Sequence, residues 1–423
     1  MAHDDPLLLA HRAFCNDDAA TLRTLLEEHP ELHSRINDPQ NEFGSPPIVN
    51  AKSRAMLDLL LEFGADINAK SKWWAGGFGV LHSAPLEIAR YAIERGAQVD
   101  IHAAARLGLF DRLRELLAAD PNLVQARGGD GQTPLHFAST EEIASYLLDH
   151  GADIDARDID HESTPAQWML GERMDLARFL VRRGCKTDLL MAAALGDINL
   201  AKRHIEADPN SIRVRVSEEY FPMVGGKSGG TIYQWTLGWH VSPHQFAKAR
   251  GHQELFNLLM ERSPTEVKLI NYAWLHDEHA LDALLSQNPE IARSLPGPEQ
   301  RQLAHAARNN DTTAVRLFLK AAFPIESRGQ HNGTPLHWSA WHGNLEAVRL
   351  LLEHHPDLED TDNEFNSSPI GWAIHGSENG WHRETGNFPA TVELLLRAGV
   401  KIPDKHGGTP EVSNILKRFA AGA

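Results

Sequence analysis

The stretch that decides the fold is GTPLHWSAWHGNLEAVRLLLEHHPDLE, Gly333 to Glu359. Thr334 offers a hydroxyl to cap a helix, and Pro335, with its fixed φ, suits the first helical turn. A short helix with Ala340 at a close-packing position follows. Next come a Gly343-Asn344 turn and an amphipathic segment with apolar residues at i, i+3 and i+4. Two antiparallel helices and a turn cannot bury their own apolar faces. The unit has to stack on others like it, so related units are expected elsewhere in the chain.

GQTPLHFA from Gly131 and STPAQWML from Ser163 repeat the opening, and SYLLDHGADIDA from Ser145 and RFLVRRGCKTD from Arg178 repeat the second segment. Pro134 to Pro165 spans 31 residues and Pro335 to Pro369 spans 34. Gly64, Gly96, Gly151, Gly184 and Gly399 each follow a leucine-rich run, where a left-handed residue ends a helix without a Cβ penalty. A second unit type closes on proline instead, at Pro30, Pro121, Pro209 and Pro289. AQVDIHAAARLG, ending at Gly108, aligns with CKTDLLMAAALG, ending at Gly196, an offset of 88 residues that Pro121 and Pro209 share. That offset implies internal duplication, with long-fingered and fingerless units alternating.

A period near 33 with T-P-L-H at the start and G-A-D-I-D at the close resembles the ankyrin repeat, here as a long, bacterial-type array with non-consensus insertions. The resemblance implies an all-α solenoid of about twelve stacked helix pairs with irregular fingers. A single continuous solenoid over residues 6–420 is expected, since no linker or charge block cuts the chain. It also implies an interaction scaffold with a concave binding groove, and T-P-L-H histidines (His136, His337) that bond back to the capping Thr and across to the next repeat.

The composition agrees with that class. Over 423 residues, 42% are hydrophobic and 23% charged, as in a soluble globular chain. Lys plus Arg number 41 against 57 Asp plus Glu, a net charge of −16, which argues against phosphate backbones and anionic lipid as partners. Two cysteines, Cys15 and Cys185, cannot build a disulfide framework. The start, MAHDDPLLLAHRAF, shows no signal peptide, and no apolar run approaches a membrane span. A cytoplasmic monomer is expected, without cofactor, nucleic-acid partner or membrane partner.

Function in repeat arrays gathers at departures from the repeat. Four stand out: NEFGSPP from Asn41 running on to a SKWWAGGFGV finger, residues 211–241, DNEFNS from Asp362, and residues 376–389 within the last full repeat. In the second, the alternation in Arg213–Ser217 and Thr231–Leu237 around intervening glycines predicts a β-hairpin. Aligned on T-P-L-H, Phe137, Trp168, Phe246, Trp338 and Trp372 share one slot and are assigned to packing between helices. The expected contact residues are Trp73, Trp74, Tyr220, Trp235, Trp239, Trp341, His375 and Trp381, with Glu42 and Glu364 of the two NEF turns.

The first functional reading is a scaffold that binds a protein partner with basic and apolar patches. The second is a small-molecule or carbohydrate site, or a hydrolase- or lyase-type enzyme. Its acid, base or ligand-contact residues would come from Glu218, Glu219, His240, His375, Glu378 and His382. The histidine spacings match no zinc signature, so no metal is expected. The enzyme reading requires the four departures to share one cavity.

Overall fold

The computed structural model describes residues 5–41, 43–404 and 407–422. Among them every regular element is helical, and the one bridge between extended segments pairs Lys70 with Gly79 in a finger. The units read from the sequence are present as helix pairs. Pro335–Trp341 is followed by Leu345–Leu352, Ile101–Leu107 by Phe110–Ala119, and Leu189–Leu195 by Ile198–Ala207.

Local chemistry sets where these helices start. Thr133 donates its backbone N–H to His136 Nδ1 at 3.1 Å, and the other ring nitrogen, Nε2, donates to the Ser163 carbonyl at 3.1 Å. His337 does the same with Thr334, and its Nε2 reaches the carbonyls of Asp360 and Ser367, both at 3.0 Å. Gln167 and Gln245 take the histidine's place behind Thr164 and Ser242. One side chain thus caps its own helix and ties the following finger to it. Burial holds the His136 ring at about 3, so it stays neutral.

The 88-residue offset is structural as well. Arg90 donates to the Leu107 carbonyl and Arg178 to the Leu195 carbonyl; Asp100 caps Ala103 and Asp188 caps Met191. Gly108 and Gly196 end equivalent helices at φ 73° and 69°.

The chain divides into two compact units, residues 1–204 with 214–241, and residues 205–213 with 242–423. Within the first, Leu57, Leu60, Ile88 and Ala103 are part of one buried cluster. Within the second, Leu303, Phe318, Leu336, Val348 and Leu395 belong to another.

The hairpin expected in 211–241 does not form. Pro209–Arg213 is a 3-10 helix, and Tyr233–Thr236 is a single helical turn. Val216 pairs in ladder fashion with His240 and Val241, through bonds of 2.7 and 3.0 Å. The intervening glycine-rich loop bonds to the preceding finger instead. Glu162 accepts from the N–H groups of Val224 and Gly225, Asp160 accepts from Gly229 N, and His161 donates to the Gly230 carbonyl. With its backbone groups used there, the loop has no ladder left to make. Tyr233, fully buried, anchors the helical turn by donating to Asp188 Oδ2 at 2.8 Å.

Two aromatic cavities as candidate binding sites

In the second unit, Trp338 and Trp341 stand three residues apart on Pro335–Trp341. Trp372 and His375 repeat that spacing on Pro369–Asn379. Both pairs therefore face the same side of their helices. The DNEF turn brings Phe365 to 5.5 Å from Trp372 and 5.2 Å from His331. The insertion then folds back so that Trp381 stacks on Trp338, centroids 5.8 Å apart and planes at 25°. These rings enclose an open cavity of about 440 Å³.

A charge already sits behind the stack. The Arg308 guanidinium lies 4.7 Å from the Trp381 centroid and 5.8 Å from that of Trp338, and burial lowers its pKa to about 10. The π-faces of that pair are thus engaged by a cation from the protein itself. His342, packed on Trp338 and Trp381, is held near 4 by burial and is neutral at pH 7. No carboxylate lines this cavity among the described residues. Its chemistry suits an apolar or aromatic group rather than an ammonium.

In the first unit, Phe43 packs 4.9 Å from Trp73, and Trp73, Phe78, Trp168 and Trp235 line a cavity of about 520 Å³. Its floor is polar. Asp130, Asp160 and His161 place one oxygen or nitrogen each within 4.8 Å of one another. Trp73 Nε1 donates to Asp160 Oδ2 at 3.2 Å. Burial, reinforced by the Asp160 and Asp158 carboxylates, pushes Asp130 up to about 7.

The expected contact residues separate accordingly. Trp73 and Trp235 line the first cavity; Trp341, His375 and Trp381 line the second. Glu364 is exposed beside the second and accepts from His331 Nδ1 at 2.7 Å. Trp74 is 40% exposed and lines neither, and Trp239 is buried. Tyr220 follows Glu218 and Glu219 in a turn whose two carboxylates are exposed, and none of the three lines either cavity. Glu42 lies outside the described residues.

The acid and base candidates divide between the units: Glu218, Glu219 and His240 belong to the first, and His375, Glu378 and His382 to the second. His240 is buried at φ 60°; His375 pairs with Asn379 and, with Glu378, Glu359 and Lys401, lines a depression that shares Ser367, Gly371 and His375 with the second cavity. His382 turns to His342, ring centroids 4.9 Å apart. Within each unit, departures from the repeat line one aromatic cavity: the Phe43 turn, the Trp73 finger and Trp235 in the first, Phe365, His375 and Trp381 in the second.

Residues that the sequence reading passed over complete both sites: Phe43, Asp130, Asp160 and His161 in the first, His331 and Phe365 in the second. Their signal was positional. Asp130, His161 and His331 each stand three residues before a helix-capping Thr, a fingertip position that stacking brings beside its counterpart in the next repeat.

The family model for ankyrin repeats matches residues 101–190 and 244–362 in three copies. The chain is thus an ankyrin-repeat protein over those segments, and its helix pairs and caps agree. An ankyrin repeat domain-containing protein, SAT10, of Stachybotrys chartarum is 22% identical over 373 residues, 79% of this chain and 18% of that protein. E3 ubiquitin-protein ligase XB3 of Oryza sativa subsp. japonica is 32% identical over 93 residues, 22% of this chain and 21% of the ligase. Palmitoyltransferase Hip14 of Drosophila melanogaster is 25% identical over 133 residues, 31% of this chain and 19% of the transferase. The chain spans about a fifth of the length of these curated relatives. No described helix is long and apolar enough to cross a membrane.

Proposed function

We propose that this chain is an interaction scaffold that holds a protein partner by seating an apolar anchor side chain in the aromatic cavity of the second unit. The observation that carries this reading is the arrangement of Trp338, Trp341, Trp372 and Trp381 around an open space of about 440 Å³. Surface tryptophans in a desolvated pocket are the usual centre of a binding hot spot. A leucine, methionine or phenylalanine side chain seated there gains roughly 1.5–3 kcal/mol from burial. With the chain at −16, basic residues beside that anchor would favour encounter.

A peptide-display selection on the full chain tests this. The expected winners carry a large apolar residue flanked by Lys or Arg, and bind Trp381→Ala at least tenfold more weakly. Trp381 is 57% exposed, so its removal spares the core, and Trp74→Ala is the matched control. Selected peptides that bind the wild type and Trp381→Ala equally would refute the reading.

A further inference from the structure

The first unit's cavity differs from the second in one respect: its aromatic walls stand over a floor of hydrogen-bond acceptors. His161 donates from Nδ1 to the Gly230 carbonyl at 2.7 Å, so in the neutral ring Nε2 carries a lone pair. That lone pair lies 3.8 Å from Asp160 Oδ2, and the Asp130 carboxylate completes a set whose members are within 4.8 Å of one another. Among the described residues no Lys or Arg pairs with either carboxylate within 4 Å, and the Asp160 side chain is only 7% exposed. The donor standing between the two carboxylates, Trp73 Nε1–H, is neutral, so their mutual repulsion in a mostly buried place is offset by no cation among the described residues.

We infer that the Asp130, Asp160 and His161 floor binds a primary ammonium group, R–NH3+, whose carbon chain lies along Trp73, Trp168 and Trp235. The match is one of number and geometry. A primary ammonium carries three N–H donors, and three acceptors none of which is more than 4.8 Å from another can all lie within about 2.8 Å of one nitrogen, an ordinary hydrogen-bond distance. Each acceptor needs one lone pair, so Asp160 keeps its bonds from Trp73 Nε1 and Gly229 N. The walls suit the rest of the ligand: a cavity of about 520 Å³ with aromatic faces stabilises both an alkyl chain and the positive head. Pairing with the cation would also relieve the like-charge repulsion that, with burial, pushes Asp130 up to about 7. The site is separate from the apolar cavity of the second unit and stands whether or not that cavity takes a partner.

Calorimetric titration of the full chain tests the assignment, with four probes: n-butylammonium, Nα-acetyl-lysine methylamide, tetramethylammonium and Mn2+. Saturable binding of the two primary amines is expected, with tetramethylammonium, which has no N–H, at least tenfold weaker. Asp130→Asn and Trp235→Ala should each weaken amine binding at least tenfold. Asp130 sits at φ 53°, which Asn also adopts, and Trp235 is 73% exposed, so both variants keep the fold. Tighter binding of the lysine derivative assigns the natural ligand to a peptide side chain, and tighter binding of n-butylammonium to a free amine. Failure of both amines to saturate overturns the proposal, as does equal affinity for tetramethylammonium. So does Mn2+ binding that Asp130→Asn abolishes while the amines do not bind.

Discussion

Replacing Gly376 by Ala sets two ordinary effects against each other. Gly376 lies inside the helix Pro369–Asn379, where propensity alone favours Ala by about 1 kcal/mol. The structure opposes it, because a Cβ there would lie 2.4 Å from the Trp341 carbonyl oxygen and 3.2 Å from Phe388 Cε1. Ordinary contacts of this kind begin at 3.4 Å, so the helices bearing Trp341 and Trp372 would have to part by 3.4 − 2.4 = 1.0 Å. The obstacle is backbone rather than a flexible side-chain end, which places the overpacking cost near the upper part of the usual range, about 3 kcal/mol. The net expectation is a loss of about 2 kcal/mol. Urea unfolding followed by tryptophan fluorescence measures it. Gly297→Ala, where a Cβ meets nothing within 4 Å, serves as the control in the same unit. The same displacement would disturb Trp341 against Trp372 and His375 and weaken binding at the second cavity. A midpoint raised by Gly376→Ala would show that propensity wins, and the close-approach argument for this cavity would fall.

Two further predictions concern pH, with opposite signs. Asp130 is raised to about 7 in the folded chain, so its contribution is intact near pH 4 and is lost as pH rises to about 7. Asp130→Asn should therefore match the wild type at pH 4 and exceed it at pH 8 by about 2 kcal/mol after allowance for partial exposure, read from denaturation midpoints; equal midpoints at pH 8 would contradict the burial argument. His136 is held at about 3, so its contribution is present above pH 6.5 and is lost as pH falls toward 3. His136→Gln, which keeps the cap as Gln167 and Gln245 do, should lose little at pH 7 and melt less readily than the wild type at pH 4; an unchanged acid transition would count against it.

The repeat was legible because its signals are local. Thr334-Pro335, the helix-ending glycines and the apolar spacing act within a few residues, and the structure follows them, down to the bonds of His136 and His337. The hairpin was misread because alternation in Thr231–Leu237 reports only which side chains are apolar. What the backbone does there depends on Asp160, His161 and Glu162, which take up the loop's hydrogen bonds from a different repeat. The same limit hid half of each cavity. Asp130 and Asp160 look like ordinary finger acids one at a time, and only stacking makes them neighbours.

Both cavities nevertheless rest on one rule that sequence can carry. His161 and Trp168, His331 and Trp338, and Phe365 and Trp372 are each seven residues apart, and their ring centroids lie 5.2, 6.1 and 5.5 Å apart. The first member is at the fingertip and the second on the short helix, so the capping Thr or Ser between them sets the distance. This pairing turns an aromatic wall toward the space between successive fingers. Chemistry is then added from outside the repeat. In the first unit the glycine-rich loop orients Asp160 and His161 as acceptors. In the second, the 376–389 insertion lays Trp381 over Trp338 with Arg308 against both rings. The repeats supply matching frames, and the insertions give one a floor of carboxylates, as the proposed ammonium site requires, and the other a wall of tryptophan, as the proposed apolar anchor requires.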